Sequence, residues 1–186
     1  MEIRHPTLLL DKEICLSNIG NMKRRAERFG LKLRPHFKTH QSAYIGSWFR
    51  QAGIHACTVS SVRMAEYFAG HGWNDILIAF PFNIRALDEI NYLASRIRLQ
   101  LLVSAGTVLD ALVHGLKFPV GLRVEVDTGQ GRTGFQHDDT GAIDEAINKI
   151  DAHDHLTFRG FYSHPGHTYL ESGAEGIRTA YNSVVD

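Results

Sequence analysis

Short apolar runs rich in β-branched and aromatic residues alternate along the chain with longer amphipathic stretches, and few folds accommodate that alternation. Strands connected in this way by crossover helices lie parallel in one sheet. Six βα units are legible, with strands expected over residues 32–37, 55–59, 75–80, 98–103, 120–126 and 157–163. Helices are expected over 41–52, 62–70, 85–95, 107–115 and 140–152, and another begins near Gly173. Gly30, Gly53, Gly72 and Gly115 each follow a helical run, where a left-handed residue commonly closes the helix. Ahead of these units Asp11 reads as an N-cap, and Cys15, Ile19, Met22 and Ala26 recur at helical spacing. Residues 7–10 read as a short strand.

Eight such units over about 250 residues close a barrel. Six units in 186 residues fall short of that, and the last helical pattern reaches Asp186 without a cap. The expectation is an α/β fold of (β/α)8 TIM type, incomplete in this chain. No linker, low-complexity stretch or longer repeat divides residues 1–186, which read as one domain or part of one. An open barrel leaves strand edges unpaired, so the isolated piece is expected to be poorly stable or to self-associate.

Composition narrows the partners. The 20 basic side chains balance the 20 acidic ones, leaving no net field to attract nucleic acid. The one basic run, Lys23 to Arg25, reads as a solvated helix face. No apolar run approaches the roughly 20 residues that span a bilayer, and residues 1–5 do not resemble a signal peptide. A cytoplasmic protein with no membrane or nucleic-acid partner is the expectation. Cys15 and Cys57 lack the spacing of a zinc or redox motif and read as buried free thiols. The 11 histidines form no paired metal motif within this segment.

Parallel barrels place their chemistry at the carboxyl ends of the strands. At the first such end stands Leu33-Arg34-Pro35-His36-Phe37-Lys38-Thr39-His40. A lysine desolvated among these neighbours would be a nucleophilic amine, the group that imine formation with an aldehyde needs. A surface lysine after a strand is the plainer local reading. At the fifth end, Glu125-Val126-Asp127-Thr128-Gly129-Gln130-Gly131-Arg132-Thr133-Gly134 offers a tightly turning backbone and an arginine able to donate to an anionic oxygen. Its spacing fits neither a Walker A loop nor a dinucleotide fingerprint. After the sixth strand, residues 160–169 carry His164, His167 and Tyr169, groups suited to ring stacking and proton transfer. His167 reads more easily as a plain loop residue than His164 does. Residues 75–81 read as a buried strand with no catalytic part.

In series, residues 6–11, Asn18-Ile19 with Met22, and residues 33–40, 75–79, 125–134 and 160–169 resemble the D-threonine aldolase and D-serine dehydratase family. That family belongs to the alanine-racemase-like class of pyridoxal-phosphate enzymes. The Arg34-Pro35-His36-Phe37-Lys38-Thr39 motif is its most specific element. The resemblance implies that Lys38 carries pyridoxal 5'-phosphate as a Schiff base and later transfers a proton. It implies that Arg132 lies near the cofactor's phenolic oxygen, His164 packs on the pyridine ring and Tyr169 lies near the phosphate. Gln41 stands where a basic residue is frequent, on the first turn of a helix.

The same resemblance implies a lyase acting on small D-β-hydroxy amino acids, as an aldolase, with a D-serine dehydratase or an amino-acid racemase as alternatives. A non-catalytic pyridoxal-phosphate-binding barrel is a further alternative, disfavoured because such modules are complete barrels. A C-terminal β-domain, absent from residues 1–186, would hold a divalent metal (Mn, Mg or Zn), and the strand at 7–10 would pair with it. The full-length protein is expected to be a homodimer.

Overall fold

In the computed structural model, which describes residues 4, 5, 7 and 9–185, helix α1 (Lys12–Arg28) comes first. Asp11 caps it, its Oδ1 accepting from the Ile14 N–H at 3.0 Å and satisfying a donor that the first turn leaves unpaired. Lys23 pairs with Glu27 one turn later at 3.5 Å, so the basic run does lie on a solvated face. The strand expected over 7–10 falls in part on residue 8, outside the described residues, and residues 7, 9 and 10 join no ladder.

The chain then alternates through α2 (Ala43–Gln51), β1 (Cys57–Val59), α3 (Val62–Gly70), β2 (Asp75–Ile78), α4 (Leu87–Ala94), β3 (Arg98–Val103), α5 (Gly106–Gly115), β4 (Val120–Asp127), β5 (Phe135–Gln136), α6 (Thr140–Asp151), β6 (Leu156–Tyr162) and α7 (Gly173–Val185). The pairings among these strands are parallel, in the order β1-β2-β3-β4, and β4 also takes β6 and the short β5. Register aligns Val59, Ile78, Leu101, Leu122 and Phe158 in one row across five strands. This row packs in a single core with Phe68 of α3, Ile90 and Leu93 of α4, Leu109 and Leu112 of α5, and Ile143 and Ile150 of α6. Because the strands advance in one direction with their helices on one face, the sheet is an arc of a barrel rather than a doubly wound sheet. The next row, Thr58, Leu77, Gln100, Gly121 and Thr157, faces the interior.

Interior charge at the amino-terminal ends of the strands is organised by Asp75. Its Oδ1 accepts from Arg34 at 2.7 Å and from Gln100 at 3.2 Å, and Arg98 approaches its other oxygen at 3.6 Å. Asp75 therefore serves the barrel floor, as its place in a structural strand implied.

Four local expectations need correction. Residues 32–37 form no strand ladder: only His36 bridges Thr58, and the Pro35 carbonyl accepts from the Thr58 N–H at 2.8 Å. Pro35 has no N–H to give a ladder, and the Arg34 side chain takes the Cys57 carbonyl at 3.1 Å. The second helix starts at Ala43 with Ser42 as its cap. Gln41 precedes that cap with φ +47°, so it is a left-handed hinge residue rather than part of the first turn. Gly30, Gly53 and Gly72 have positive φ, whereas Gly115 remains helical. Gly115 is needed for space instead, because a Cβ there would come within 2.2 Å of Leu87 Cδ2. Both cysteines are free, but only Cys57 is buried, and burial pushes its thiol up to about 12.

Two outcomes test this packing. Phe68→Ala removes a ring with no exposure and should cost about 3–5 kcal/mol in urea unfolding. Gly134→Ala should cost roughly 1–3 kcal/mol: Gly134 has φ +115°, and its added Cβ would meet the Glu125 carbonyl oxygen at 2.8 Å.

Candidate active site

The site is built from three strand ends, beginning with a turn anchored by one aromatic ring. Phe37 is fully buried and opens a 3-10 turn, Phe37–Thr39. Its ring meets those of His40, Phe49, Phe68 and Trp73 at centroid distances of 4.6, 5.3, 4.8 and 4.7 Å. With Phe37 held inward, the next side chain, Lys38, projects outward. Lys38 is exposed, in line with the plainer local reading of a surface lysine after a strand.

The backbone around Lys38 is nonetheless tightly specified. Its N–H donates to His36 Nδ1 at 3.3 Å, its carbonyl accepts from Gln41 Nε2 at 3.3 Å, and the Gln41 N–H donates to the Phe37 carbonyl at 2.9 Å. Accepting at Nδ1 leaves Nε2 as the protonated nitrogen of a neutral His36 ring. Burial, then the Lys38 charge, then His164 bring the His36 pKa down to about 4.

At the end of β4 the glycine-rich loop folds back on its own strand. Asp127 Oδ1 accepts from the N–H groups of Gly129 at 3.0 Å and Gly131 at 3.1 Å. Gly129 and Gly131 both have positive φ, which this return requires. β5 then pairs Phe135 with Val126. Glu125, only 1% exposed, accepts at Oε1 from Thr133 Oγ1 at 3.0 Å and from Arg132 Nη2 at 3.4 Å. Arg132 is half-exposed above it. Thr128 Oγ1 and Ser163 Oγ, 2.7 Å apart, tie this loop to the one after β6.

The third strand end supplies Tyr162, His164 and Tyr169. Tyr162 packs on Leu77, Ala79 and Leu102. Burial raises its phenol pKa and the Glu125 charge raises it further, with Arg132 pulling the other way. The His164 pKa is lowered by burial and then by Arg132 and Lys38, with Glu125 opposing them. The His164 and Tyr169 rings lie 6.1 Å apart, edge to face, and Tyr169 is 78% exposed on the turn Gly166–Leu170.

The residues singled out in the sequence, Lys38, Arg132, His164 and Tyr169, thus converge on one rim. The structure adds His36, Glu125, Thr133 and Tyr162, to which sequence reasoning gave no role. A signal for Glu125 was available, since alternation in β4 sets it on the same face as Gly121 and Arg123, opposite Leu122 and Val124. Among the described residues, no group of three or more His, Cys, Asp or Glu side chains could hold a metal ion, and no helix is long and apolar enough to cross a membrane.

This geometry has counterparts. The chain is 31% identical to a D-threo-3-hydroxyaspartate dehydratase from Delftia sp. (strain HT23), over 93% of this chain and 46% of that protein. It is 28% identical to a 3-hydroxy-D-aspartate aldolase from Paracoccus denitrificans, over 89% of this chain and 44% of the relative. The fold matches that of a crystal structure of D-threonine aldolase from Filomicrobium marinum with a TM-score of 0.89 at 24% identity, over 98% of this chain and 50% of that one. The chain therefore spans about half the length of these relatives. Residues 11–181 match the family described as alanine racemase, N-terminal domain, and to that family this chain belongs.

Proposed function

We infer that the polypeptide containing this chain is a pyridoxal-phosphate-dependent lyase of D-β-hydroxy amino acids, D-threonine aldolase-like, with Lys38 as the attachment point. One observation carries this reading. A primary amine, on a turn anchored by the buried Phe37 ring, stands within electrostatic reach of His164, which in turn feels Arg132. The donor set fits the cofactor: an amine for its carbonyl, a guanidinium for its phenolic oxygen, an imidazole for its ring and a phenol toward its phosphate. When bound, pyridoxal phosphate supplies an electron sink for a bond broken at the amino acid's α-carbon.

The chain's own residues would divide the work. Lys38 Nζ holds the cofactor and, once displaced by substrate, moves a proton at the α-carbon. Arg132 donates to the phenolic oxygen, His164 packs on the ring as a neutral imidazole, and Tyr169 donates toward the phosphate. The neighbouring His36 stays uncharged, so it adds no second cation beside Lys38. Cleavage of the Cα–Cβ bond makes an aldolase, whereas loss of the β-hydroxyl makes a dehydratase. The two named relatives represent both outcomes, and D-serine dehydratase chemistry is accordingly the second reading. Residues 1–186 would form the cofactor-binding barrel segment. A divalent metal holding the substrate hydroxyl would be bound by a β-domain outside this chain.

Borohydride reduction with pyridoxal phosphate, followed by peptide mapping, should label Lys38 in the polypeptide containing residues 1–186. Lys38→Ala should abolish the label and reduce lyase turnover by about a thousandfold or more. Labelling elsewhere, or none, would overturn the assignment. With D-threonine and a divalent metal, glycine and an aldehyde are expected; pyruvate from D-serine, without glycine from D-threonine, selects the dehydratase reading.

A pH experiment tests His36 separately. Its pKa is lower folded than the ordinary 6.5, so the unfolded chain binds more protons between these values and stability must fall with acidification. Urea stability should decline from about pH 6.5 to about pH 4. His36→Asn should flatten part of that slope, leaving the contributions of His40 and His164, whose pKa values burial also lowers.

A further inference from the structure

Two buried carboxylates end strand β4, and the loop that follows meets them in different ways. Asp127 caps two N–H groups of the turn. Glu125 lies deeper, and its Oε2 is enclosed with no hydrogen-bond partner among the described residues. A carboxylate withdrawn from water is costly unless a charge is set against it. Arg132 is the guanidinium in reach, at 3.4 Å from Oε1, and Thr133 donates to the same oxygen.

The loop is constructed to bring this pair together. Gly134 crosses the Glu125 backbone so closely that no side chain fits there, and β5 then pairs with Val126 and Asp127. Residues 132 and 133 are thereby returned over the carboxylate seven and eight positions behind them. The Glu125 charge is also felt by Tyr162 and His164, so it acts on the rim as a whole.

The geometry points to Glu125 as a positioning residue, a buried counter-charge that aims the Arg132 guanidinium and offsets its charge at the cofactor's phenolic oxygen. The inference rests on the placement of Arg132 proposed above. Oε2 is the remaining acceptor, able to turn the single contact into a paired one with two parallel N–H···O bonds. Without Glu125, a full positive charge would stand beside the phenolic oxygen and lower the proton affinity of the Lys38-linked chromophore.

Two measurements test it. In the cofactor-free form of the polypeptide containing this chain, Glu125→Gln, Arg132→Met and the double variant form a cycle in urea unfolding. The double variant should lose clearly less stability than the sum of the single losses; additive losses would overturn the pairing. In the cofactor-loaded polypeptide, Glu125→Gln keeps the side-chain shape and should move the absorbance-band titration down by about one pH unit, a tenfold loss of proton affinity. Glu125→Asp should recover part of that shift. An unmoved titration in a protein labelled at Lys38 would overturn the proposal and leave the lyase reading standing. Absence of the Lys38 label would instead defeat the lyase reading and the cofactor role with it, and the unfolding cycle alone would then decide whether Glu125 anchors Arg132.

Discussion

The apolar row Val59–Ile78–Leu101–Leu122–Phe158 is the contact on which the remaining structure depends. Side chains alternate across a strand, so burying this row under the helices commits every neighbouring residue to the other face. That face is the barrel interior, and it carries the polar side chains Thr58, Asp75, Gln100, Arg123 and Glu125 beside an apolar cluster of Leu77, Ala79 and Leu102. A one-residue slip of β4 would exchange Val124 for Glu125 in the helix-facing core. Such a slip buries an unpaired carboxylate among leucines and isoleucines, at a cost of several kcal/mol. The register that builds the core and the register that builds the site are therefore one constraint.

Phe37 extends that constraint to the rim. Its ring joins the same core as Phe68 and Trp73, and burying a phenylalanine contributes roughly 1.5–3 kcal/mol. The 3-10 turn it anchors is closed by the backbone of Gln41, a residue held at φ +47°. A left-handed non-glycine residue costs about 1–2 kcal/mol, which the ring's burial is large enough to offset. The amine of Lys38 gains a defined position without being buried itself.

Much of this was legible in the sequence. Alternation located the strands of the sheet core to within a few residues, β3 without error, because each of those strands is bounded by turn chemistry and buried on its outer face. The segment at 32–37 misled because Arg34 and Pro35 have the composition of a strand end but lack ladder donors where one is needed. β5 escaped because two residues carry no period. Lys38, Arg132, His164 and Tyr169 were singled out through motif resemblance, whereas Glu125 and Tyr162 depend on side-chain direction across two paired strands. A linear reading assigns faces within a strand but not which faces oppose one another, and the Glu125–Arg132 contact arises from the loop's return over its own strand.

The charge pattern at the rim then follows from proximity. Lys38 and Arg132 are cations on separate elements, and each lowers the proton affinity of His164, while Lys38 also acts on His36. Imidazoles so placed are biased toward their neutral form. On the proposed function, a rim of two exposed or half-exposed cations and two imidazoles suits an anionic, flat ligand. Glu125 lies beneath that rim, not on it, so it can restrain Arg132 without presenting a negative charge to the incoming group. Depth thus separates the two functions of charge here, with attraction at the surface and orientation below it.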